Sequence, residues 1–386
     1  MTAYFDECPE RSCTESTKWN KYAADVLPMW VADMDFKSPP PVIEALQDRA
    51  AHGVFGYSYC DEDVRAVVVD WIERRYHWRI QPETLVFLPG VVTGFNLACH
   101  TVAGRPGTIV VQPPVYHPML LAPGNAGMTR VDARLVQNPD GDYAIDWHTF
   151  ERSFDLTSRM FLLCNPQNPT GRVFRRDELE RMAEICLERG VLICSDEIHC
   201  DLLYSGQQHL PIAALDPEIA RHSITLMAPS KTFNIAGLQF SFAVIPDAEL
   251  RSRFTKSNRG LTNEVNLMGI AAAQAAYTRG ETWLAELLIY LEANRDLVVD
   301  FVRTRLPGIR MGVPEGTYLA WLDCRELKLP ESPAEFFLRE AQVALVDGAV
   351  FGPGGEGFVR LNFGCPRSQL KRALLLMEAA LVRAGA

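Results

Sequence analysis

Five short apolar runs constrain the fold of this chain more than any other feature of its sequence. Each run has the length and composition of a buried strand. Polar residues cluster near the carboxyl ends of successive runs, and strands alternate with segments of helical pattern. Strands that alternate with helices form a mainly parallel sheet, which binds ligands at the carboxyl ends of its strands. We therefore predict an α/β fold with a site at that edge. The five runs are residues 85–88, 108–111, 160–164, 191–194 and 223–227.

The last third of the chain has a different pattern. After residue 247 it is mainly helical, and two strand segments, at 316–322 and 357–363, precede a final helix over 368–382. We interpret this part as a smaller α+β domain that the N-terminal segment completes. The predicted large α/β domain covers residues 46–284, and the predicted small domain combines residues 1–45 with 285–386.

Composition argues against several kinds of partner. The formal net charge of −10 disfavours nucleic acid and anionic membranes, and no apolar stretch reaches the ~18 residues that a membrane span requires. The N-terminus has no basic segment followed by an apolar run, so we expect no signal peptide. The 10 cysteines are scattered without a C-x-x-C pair, which predicts reduced thiols in the cytoplasm and no metal site.

A lysine, Lys231, follows the apolar run 223–227 within the segment A-P-S-K-T-F-N, residues 228–234. Burial at the end of a strand lowers the pKa of a lysine and makes available the neutral amine that Schiff-base chemistry requires. A serine–lysine pair alone is more often part of a surface turn. A second segment, P-G-V-V at 89–92, joins a strand to a helix start, where free N–H groups can bind an anion.

These segments resemble one family over nearly the whole chain. The family is the fold-type I pyridoxal-5′-phosphate (PLP) enzymes of the aminotransferase class I/II group, and the closest branch is that of the cystathionine β-lyases and C–S lyases, which includes maltose-regulon modulator-like proteins. The resemblance implies a PLP-dependent transferase fold, with a mainly parallel seven-stranded sheet in the large domain and a smaller α+β domain. The matching motifs are W-V-A-D-M-D-F (30–36), H-G-V-F-G-Y-S (52–58), P-G-V-V (89–92), N-P-Q-N-P-T-G-R-V (165–173), S-D-E-I-H (195–199), A-P-S-K-T-F-N-I-A-G-L (228–238), G-T-Y-L-A-W (316–321) and G-F-V-R-L-N-F-G-C-P-R (357–367).

The resemblance implies a role around the PLP ring for five residues. Lys231 would form the Schiff base with PLP and then take the substrate α-proton. Asp196 would pair with the protonated pyridine nitrogen, and Asn168 would donate to the phenolic oxygen. Tyr116 would stack on the ring as a second catalytic residue, although a tyrosine after two prolines is more often packed in a core. His199 would lie beside the cofactor, and a hydrogen-bonded core histidine is nearly as common.

The resemblance also implies contacts for the phosphate. They would come from the backbone N–H groups of Val91 and Val92 and from the Ser230 hydroxyl. Many aminotransferases have an arginine eight residues after the lysine, but this chain has Gln239 there. Tyr57 would reach the phosphate and substrate of a neighbouring subunit, which implies a homodimer with shared active sites. The alternative interpretation is that Tyr57 only packs in the core.

For the substrate, the resemblance implies a carboxylate site. Arg360 would hold the α-carboxylate of an amino acid in a bidentate fork. A lone arginine in a strand can instead form a surface ion pair, but Arg360 interrupts an otherwise apolar strand, which favours a specific partner. The backbone of Ala32 and the side chains of Tyr57 and Asn168 would complete this site. The shape of the pocket depends on segments 58–61, 117–121 and 259–263, which we expect to be loops.

The reaction implied for this branch is β-elimination from cystathionine or another S-substituted L-cysteine, which gives a thiol, pyruvate and ammonia. Three alternatives stay open. The chain could be an aminotransferase, a specialised biosynthetic PLP enzyme that processes a cysteine S-conjugate by elimination, decarboxylation or oxidative deamination, or a regulator that binds a protein partner. The sequence does not identify the sulfur substituent.

Overall fold

A computed structural model describes residues 3–385 of the chain, and its strands group into one large and three small sheets. The strands are β1 (Leu27–Pro28), β2 (Leu85–Leu88), β3 (Thr108–Val111), β4 (Thr129–Asp132), β5 (Leu135–Gln137), β6 (Tyr143–Ile145), β7 (Ser158–Cys164), β8 (Leu192–Asp196), β9 (Ser223–Met227), β10 (Ser241–Val244), β11 (Leu319–Asp323), β12 (Val343–Ala344), β13 (Val346–Asp347) and β14 (Phe358–Asn362).

Most helices either cover the large sheet or belong to the C-terminal third of the chain. They are α1 (Ala3–Asp6), α2 (Thr17–Asn20), α3 (Pro40–His52), α4 (Glu62–Tyr76), α5 (Val91–Val102), α6 (His117–Asn125), α7 (Trp147–Arg152), α8 (Arg176–Glu188), α9 (Pro217–Arg221), α10 (Pro229–Thr232), α11 (Ala248–Ser257), α12 (Leu267–Arg279), α13 (Glu281–Arg305), α14 (Pro333–Ala341) and α15 (Arg367–Ala384). Within this described part of the chain, no helix is long and apolar enough to cross a bilayer.

The large sheet has seven strands in the order β2-β10-β9-β8-β7-β3-β4. Strand β10 runs antiparallel to both of its neighbours, and the other pairs are parallel. This topology confirms the predicted mainly parallel, seven-stranded sheet. Because β7, β8 and β9 are covered on both faces, their sequences are nearly continuous apolar runs.

Alternate residues of strand β7 fill two different cores. Met160 and Leu162 pack on one face of the sheet in a cluster with Phe95 of α5. Phe161 and Leu163 pack on the other face in a cluster that includes side chains of α8. This period of two is the geometry of a strand, and it places helices on both faces of the sheet. The carboxyl ends of the parallel strands meet at one edge of this sheet, where α/β folds form their sites.

The C-terminal part of the chain adds a small antiparallel sheet in the order β11-β14-β13. Strand β1 pairs in parallel with β12, so the N-terminal segment hydrogen-bonds to the C-terminal part. The long helix α13 precedes this region. The division into domains at 46–284 and at 1–45 with 285–386 stays a prediction.

The sequence missed several elements around strands β3 and β7. Residues 117–121, which we expected to form a loop, are part of helix α6. Pro118 occupies its first turn, where a missing N–H costs no hydrogen bond, but Pro123 and Gly124 conceal the helical pattern further along. Strand β4 and the β5–β6 hairpin were also missed.

Candidate active site

A cavity of about 1310 Å³ lies where the carboxyl edge of the large sheet faces the small sheet and the N-terminal segment. It collects side chains or backbone from nearly every motif that the sequence singled out. Ten of the predicted site residues line it: Ala32, Val91, Val92, Tyr116, Asn168, Asp196, His199, Ser230, Lys231 and Arg360. Their proximity follows from the fold, because strands β7, β8 and β9 end at the same edge.

Lys231 lies in helix α10, the single turn that follows β9. Its Nζ donates a hydrogen bond to the carbonyl oxygen of Ala32 at 2.7 Å. Burial, with the nearby positive charge of Arg360, lowers the pKa of Lys231 to about 8. An amine with this pKa is far more often neutral near physiological pH than an ordinary lysine, so it can act as a nucleophile or a base.

Asp196 is the last residue of β8 and is 4% exposed. The backbone N–H of Ile198 donates to its Oδ1 at 3.1 Å, and no ion pair of Asp196 occurs among the described residues. Burial raises the pKa of Asp196 to about 7 despite this bond. A buried carboxylate that forms no ion pair among these residues gains from a cationic partner in the cavity.

Arg360 lies in the middle of β14 and is 5% exposed. Its Nη1 donates to Asn168 Oδ1 at 2.8 Å, and its Nη2 donates to the Trp30 carbonyl at 3.2 Å. Its Nε is buried and has no hydrogen-bond partner among residues 3–385. Burial lowers the pKa of Arg360 to about 10, so the guanidinium stays charged. A buried cation with an unpaired donor is suited to an anionic ligand.

His199 and Tyr116 complete the inner wall of the cavity. Burial, together with Lys231 and Arg360, lowers the pKa of His199 to about 3, so the imidazole is neutral. Its Nδ1 is a further buried atom without a partner in the described chain. Burial and the charge of Asp196 raise the pKa of Tyr116, which therefore stays a phenol. Both rings can contact a ligand without changing the charge of the site.

The first turn of α5 provides an anion site at one end of the cavity. The N-terminal N–H groups of a helix have no intrahelical partner, and Gly90, at the N-cap, has no side chain to cap them. The backbone N–H groups of Val91 and Val92 belong to this turn, and Ser230 lies on the same cavity wall. Gln239, where many aminotransferases carry arginine, also lines the cavity and adds no charge.

The segment of residues 30–36, which we call the strap, closes the cavity from the N-terminal side. Asn362 Nδ2 donates to the carbonyls of Val31 and Asp33 at 2.5 and 2.7 Å. Asn234 accepts from the N–H of Met34 and donates to its carbonyl at 3.0 and 2.9 Å. We did not predict these two asparagines as site residues, although both belong to the matching motifs. Their partners are distant in sequence, so no local pattern could have assigned them.

Two expected contacts stay predictions. The Ala32 carbonyl accepts from Lys231, so the Ala32 N–H is the part of this backbone that could bind a carboxylate. Tyr57 does not line the cavity, because it lies fully exposed on the surface loop 53–61. Its contact with a neighbouring subunit stays a prediction.

Comparison with known proteins places this site in a family. The model of the family "Aminotransferase class I and II" matches residues 24–375. The chain belongs to the aminotransferase class I and II family. The chain is 42% identical over 385 residues to cystathionine beta-lyase PatB of Bacillus subtilis, with 98% of this chain and 99% of that relative covered.

Solved structures agree with this family assignment. The crystal structure of OvoB matches with a TM-score of 0.93, 44% identity and 98% coverage of both chains. The PLP-bound C–S lyase from Staphylococcus hominis matches with a TM-score of 0.92, 34% identity and 98% coverage of both chains. These likenesses confirm the predicted family and fold class.

Across residues 3–385, no three His, Cys, Asp or Glu side chains form a group that could hold a metal ion.

Proposed function

We propose that this chain is a PLP-dependent C–S β-lyase that cleaves an S-substituted L-cysteine to a thiol, pyruvate and ammonia. One observation carries the proposal: a single cavity combines an amine of lowered pKa with a buried carboxylate and a buried arginine, and within residues 3–385 the carboxylate forms no ion pair and the arginine Nε has no acceptor. These are the partners that an aldehyde, a pyridinium and an amino-acid carboxylate require. The relatives favour a lyase, since identity falls from 42% with the lyase PatB to 24% with an aspartate aminotransferase of Pyrococcus horikoshii.

The residues of the cavity fit PLP in charge and hydrogen bonding. Asp196 forms no ion pair with the described residues, and a protonated pyridine nitrogen would provide one. The uncapped first turn of α5, with Ser230 beside it, would hold the phosphate. Asn168 would contact the phenolic oxygen and Tyr116 the ring face, while His199 would stay neutral beside them. When bound, the cofactor supplies the electron sink that β-elimination requires.

The side chains of this chain would bind the substrate and move its protons. Arg360 would hold the α-carboxylate, and its bonds to Asn168 and Trp30 fix the guanidinium plane for this task. The Lys231 amine would take the proton from the α-carbon. The bond between Cβ and sulfur then breaks, and the thiolate leaves with its electron pair and gains a proton. Addition of one water to the remaining three-carbon fragment gives pyruvate and ammonium.

We also propose a cytoplasmic homodimer with shared active sites and the two-domain division at residues 46–284. The cysteines are free, which suits a reducing compartment. The loop 53–61 exposes large apolar side chains, among them Phe55 and Tyr59 at 61% and 78%, and such a patch is typical of a contact surface. Tyr57 lies in this loop and would reach the site of the partner.

The direct test is a product assay with the purified protein. We expect pyruvate and a free thiol from L-cystathionine or from S-alkyl-L-cysteines in the presence of PLP, without an added 2-oxo acid. The variant Lys231→Ala should form no pyruvate above the background of free PLP. An aminotransferase would instead require a 2-oxo acid for turnover. The absence of pyruvate with every such substrate would contradict the proposal.

A further inference from the structure

The carbonyl oxygen of Ala32 accepts two hydrogen bonds inside the cavity. Lys231 Nζ donates to it at 2.7 Å, and the hydroxyl of Tyr318 donates to it at 2.9 Å. Tyr318 is 1% exposed, and its ring meets the ring of His199 edge to face, with 5.9 Å between their centroids. A carbonyl has two lone pairs, so the amine and the hydroxyl can bind it together. Tyr318 therefore touches the same atom as the reactive lysine.

The backbone next to Tyr318 is held in an unusual conformation. Thr317 has a φ of 67°, in the left-handed region, which a β-branched residue rarely adopts. Such a conformation is strained and persists only where surrounding contacts impose it. Here the Thr317 N–H donates to the Leu202 carbonyl at 2.8 Å, and the Tyr204 hydroxyl donates to the Thr317 carbonyl. The fold thus accepts strain at the point where the chain enters β11 and turns Tyr318 towards Ala32.

The acceptor carbonyl is fixed from its other sides as well. Asn362 holds the strap on both sides of Ala32 through its bonds to Val31 and Asp33. Lys18, which is buried, also donates to the Asp33 carbonyl at 3.1 Å. The Ala32 oxygen is therefore a rigid point in the cavity wall.

We propose that Tyr318 is a positioning residue whose hydroxyl fixes the Ala32 carbonyl as the resting place of the Lys231 amine and weakens that carbonyl as an acceptor, which increases the neutral fraction of the amine. Two donors on one oxygen compete for its electron density. An ammonium gains more from a carbonyl than a neutral amine does, because charge-assisted hydrogen bonds are about twice as strong. The Tyr318 hydroxyl therefore disfavours the ammonium more than the amine.

Other charged groups act on the same amine and set the background for this effect. Arg360 on β14 disfavours the ammonium, while Asp33 on the strap and Asp196 on β8 favour it. His199 faces the amine as a neutral ring. Among residues 3–385, the Tyr318 hydroxyl forms one hydrogen bond, to the Ala32 oxygen. It forms none with the charged groups named above. Deleting that hydroxyl therefore changes one contact of the carbonyl and none of the neighbouring charges.

The test is the pH dependence of PLP uptake by the full-length protein freed of cofactor, followed by the rise in visible absorbance. The uptake rate depends on the neutral fraction of the Lys231 amine, so its inflection reports the pKa of that amine. We expect Tyr318→Phe to move the inflection upwards by about 0.5–1 pH unit, which lowers the uptake rate at pH 7 by about 3- to 10-fold. Tyr318→Met, which also lacks the hydroxyl, should give the same shift and serves if the first variant does not fold.

The matched control is Tyr143→Phe. Tyr143 is also buried, and its hydroxyl accepts from Trp321 Nε1 on β11 at 3.0 Å, away from Ala32. This variant should keep the uptake profile of the unsubstituted protein. Coinciding profiles for all variants, or an equal shift in the control, would overturn the inference. The inference rests on the proposed function, but the two fail differently: a protein that takes up no PLP contradicts the function, whereas normal uptake with an unshifted inflection contradicts only the role of Tyr318.

Discussion

Two buried carboxylates of this protein have opposite surroundings. Asp35, in the strap, is 0% exposed and bonds to Lys18 Nζ at 2.7 Å, Arg11 Nη1 at 2.5 Å, Trp19 Nε1 at 2.9 Å and Gln369 Nε2 at 3.0 Å. Burial alone would raise the pKa of Asp35, but Lys18 and the other donors hold it below its ordinary value. Both oxygens of this carboxylate therefore accept hydrogen bonds from side chains of the protein itself.

Asp196 is nearly as buried, but it has one backbone donor, and its pKa rises to about 7. The difference teaches that burial alone does not identify a functional carboxylate. A carboxylate that the chain satisfies stabilises the fold, whereas one that the chain leaves without a cation requires a ligand. The same rule applies to the unpaired Nε of Arg360. Isosteric substitutions at the two positions test this difference.

The largest expected effect is on activity at Asp196. Asp196→Asn keeps the shape and the acceptor for the Ile198 N–H but cannot stabilise a protonated pyridine. We expect pyruvate formation at saturating PLP to fall about 10³-fold, which corresponds to about 4 kcal/mol. Asp35→Asn, measured per folded and PLP-loaded molecule, should stay within about 3-fold of the unsubstituted rate. Equal losses in the two variants would contradict the distinction.

The next effect is on stability at Asp35. Asp35→Asn leaves the ammonium of Lys18, which is 0% exposed, without its buried anion. Removing one partner of such a pair typically costs about 3–5 kcal/mol. Urea unfolding of the cofactor-free protein should show this loss as a lower midpoint with an unchanged slope. A change below about 1 kcal/mol would show that Asp33 alone can compensate the two cations of the strap.

A smaller effect is expected at the substrate carboxylate. Arg360→Lys retains the positive charge but loses the planar fork and the bond to Asn168. We expect kcat/KM for S-alkyl-L-cysteines to fall about 10- to 100-fold, mainly through KM. Arg325→Lys is the matched control, since Arg325 pairs with Asp323 at the end of β11 and lies outside the cavity. A loss confined to kcat would argue against binding of the ground-state carboxylate by Arg360.

The smallest effect concerns the pH dependence of stability. Folding raises the pKa of Asp196 from 3.8 to about 7. Ionisation of this carboxyl therefore destabilises the folded, cofactor-free protein. The destabilisation grows as the pH rises from about 4 to 7 and is complete above pH 7. Asp196→Asn removes the penalty. We expect a gain of about 1–2 kcal/mol at pH 8, below the full conversion of the shift because the site can relax, and a smaller gain at pH 5. Thermal unfolding at both pH values measures it, and a larger gain at pH 5 would reverse the assigned sign.

The sequence was sufficient for five of the seven strands of the large sheet and for the functional residues near their ends. Asp196 and Lys231 follow apolar runs within four residues, and Arg360 interrupts one, so local patterns and the family motifs identify all three. Strand β4, T-R-V-D, lies at the sheet edge and has little apolar signal. The role of Tyr318 was out of reach for another reason, since its bond to Ala32 joins residues 286 positions apart.

The predictions on activity require that the Lys231 amine binds PLP covalently, and reductive labelling of the loaded protein shows whether it does. The purified protein is loaded with PLP, reduced with borohydride and digested, and the modified peptide is located by mass spectrometry. We predict a stoichiometric pyridoxyl group on Lys231. A pyridoxyl group on another lysine, or none after loading, would contradict the account.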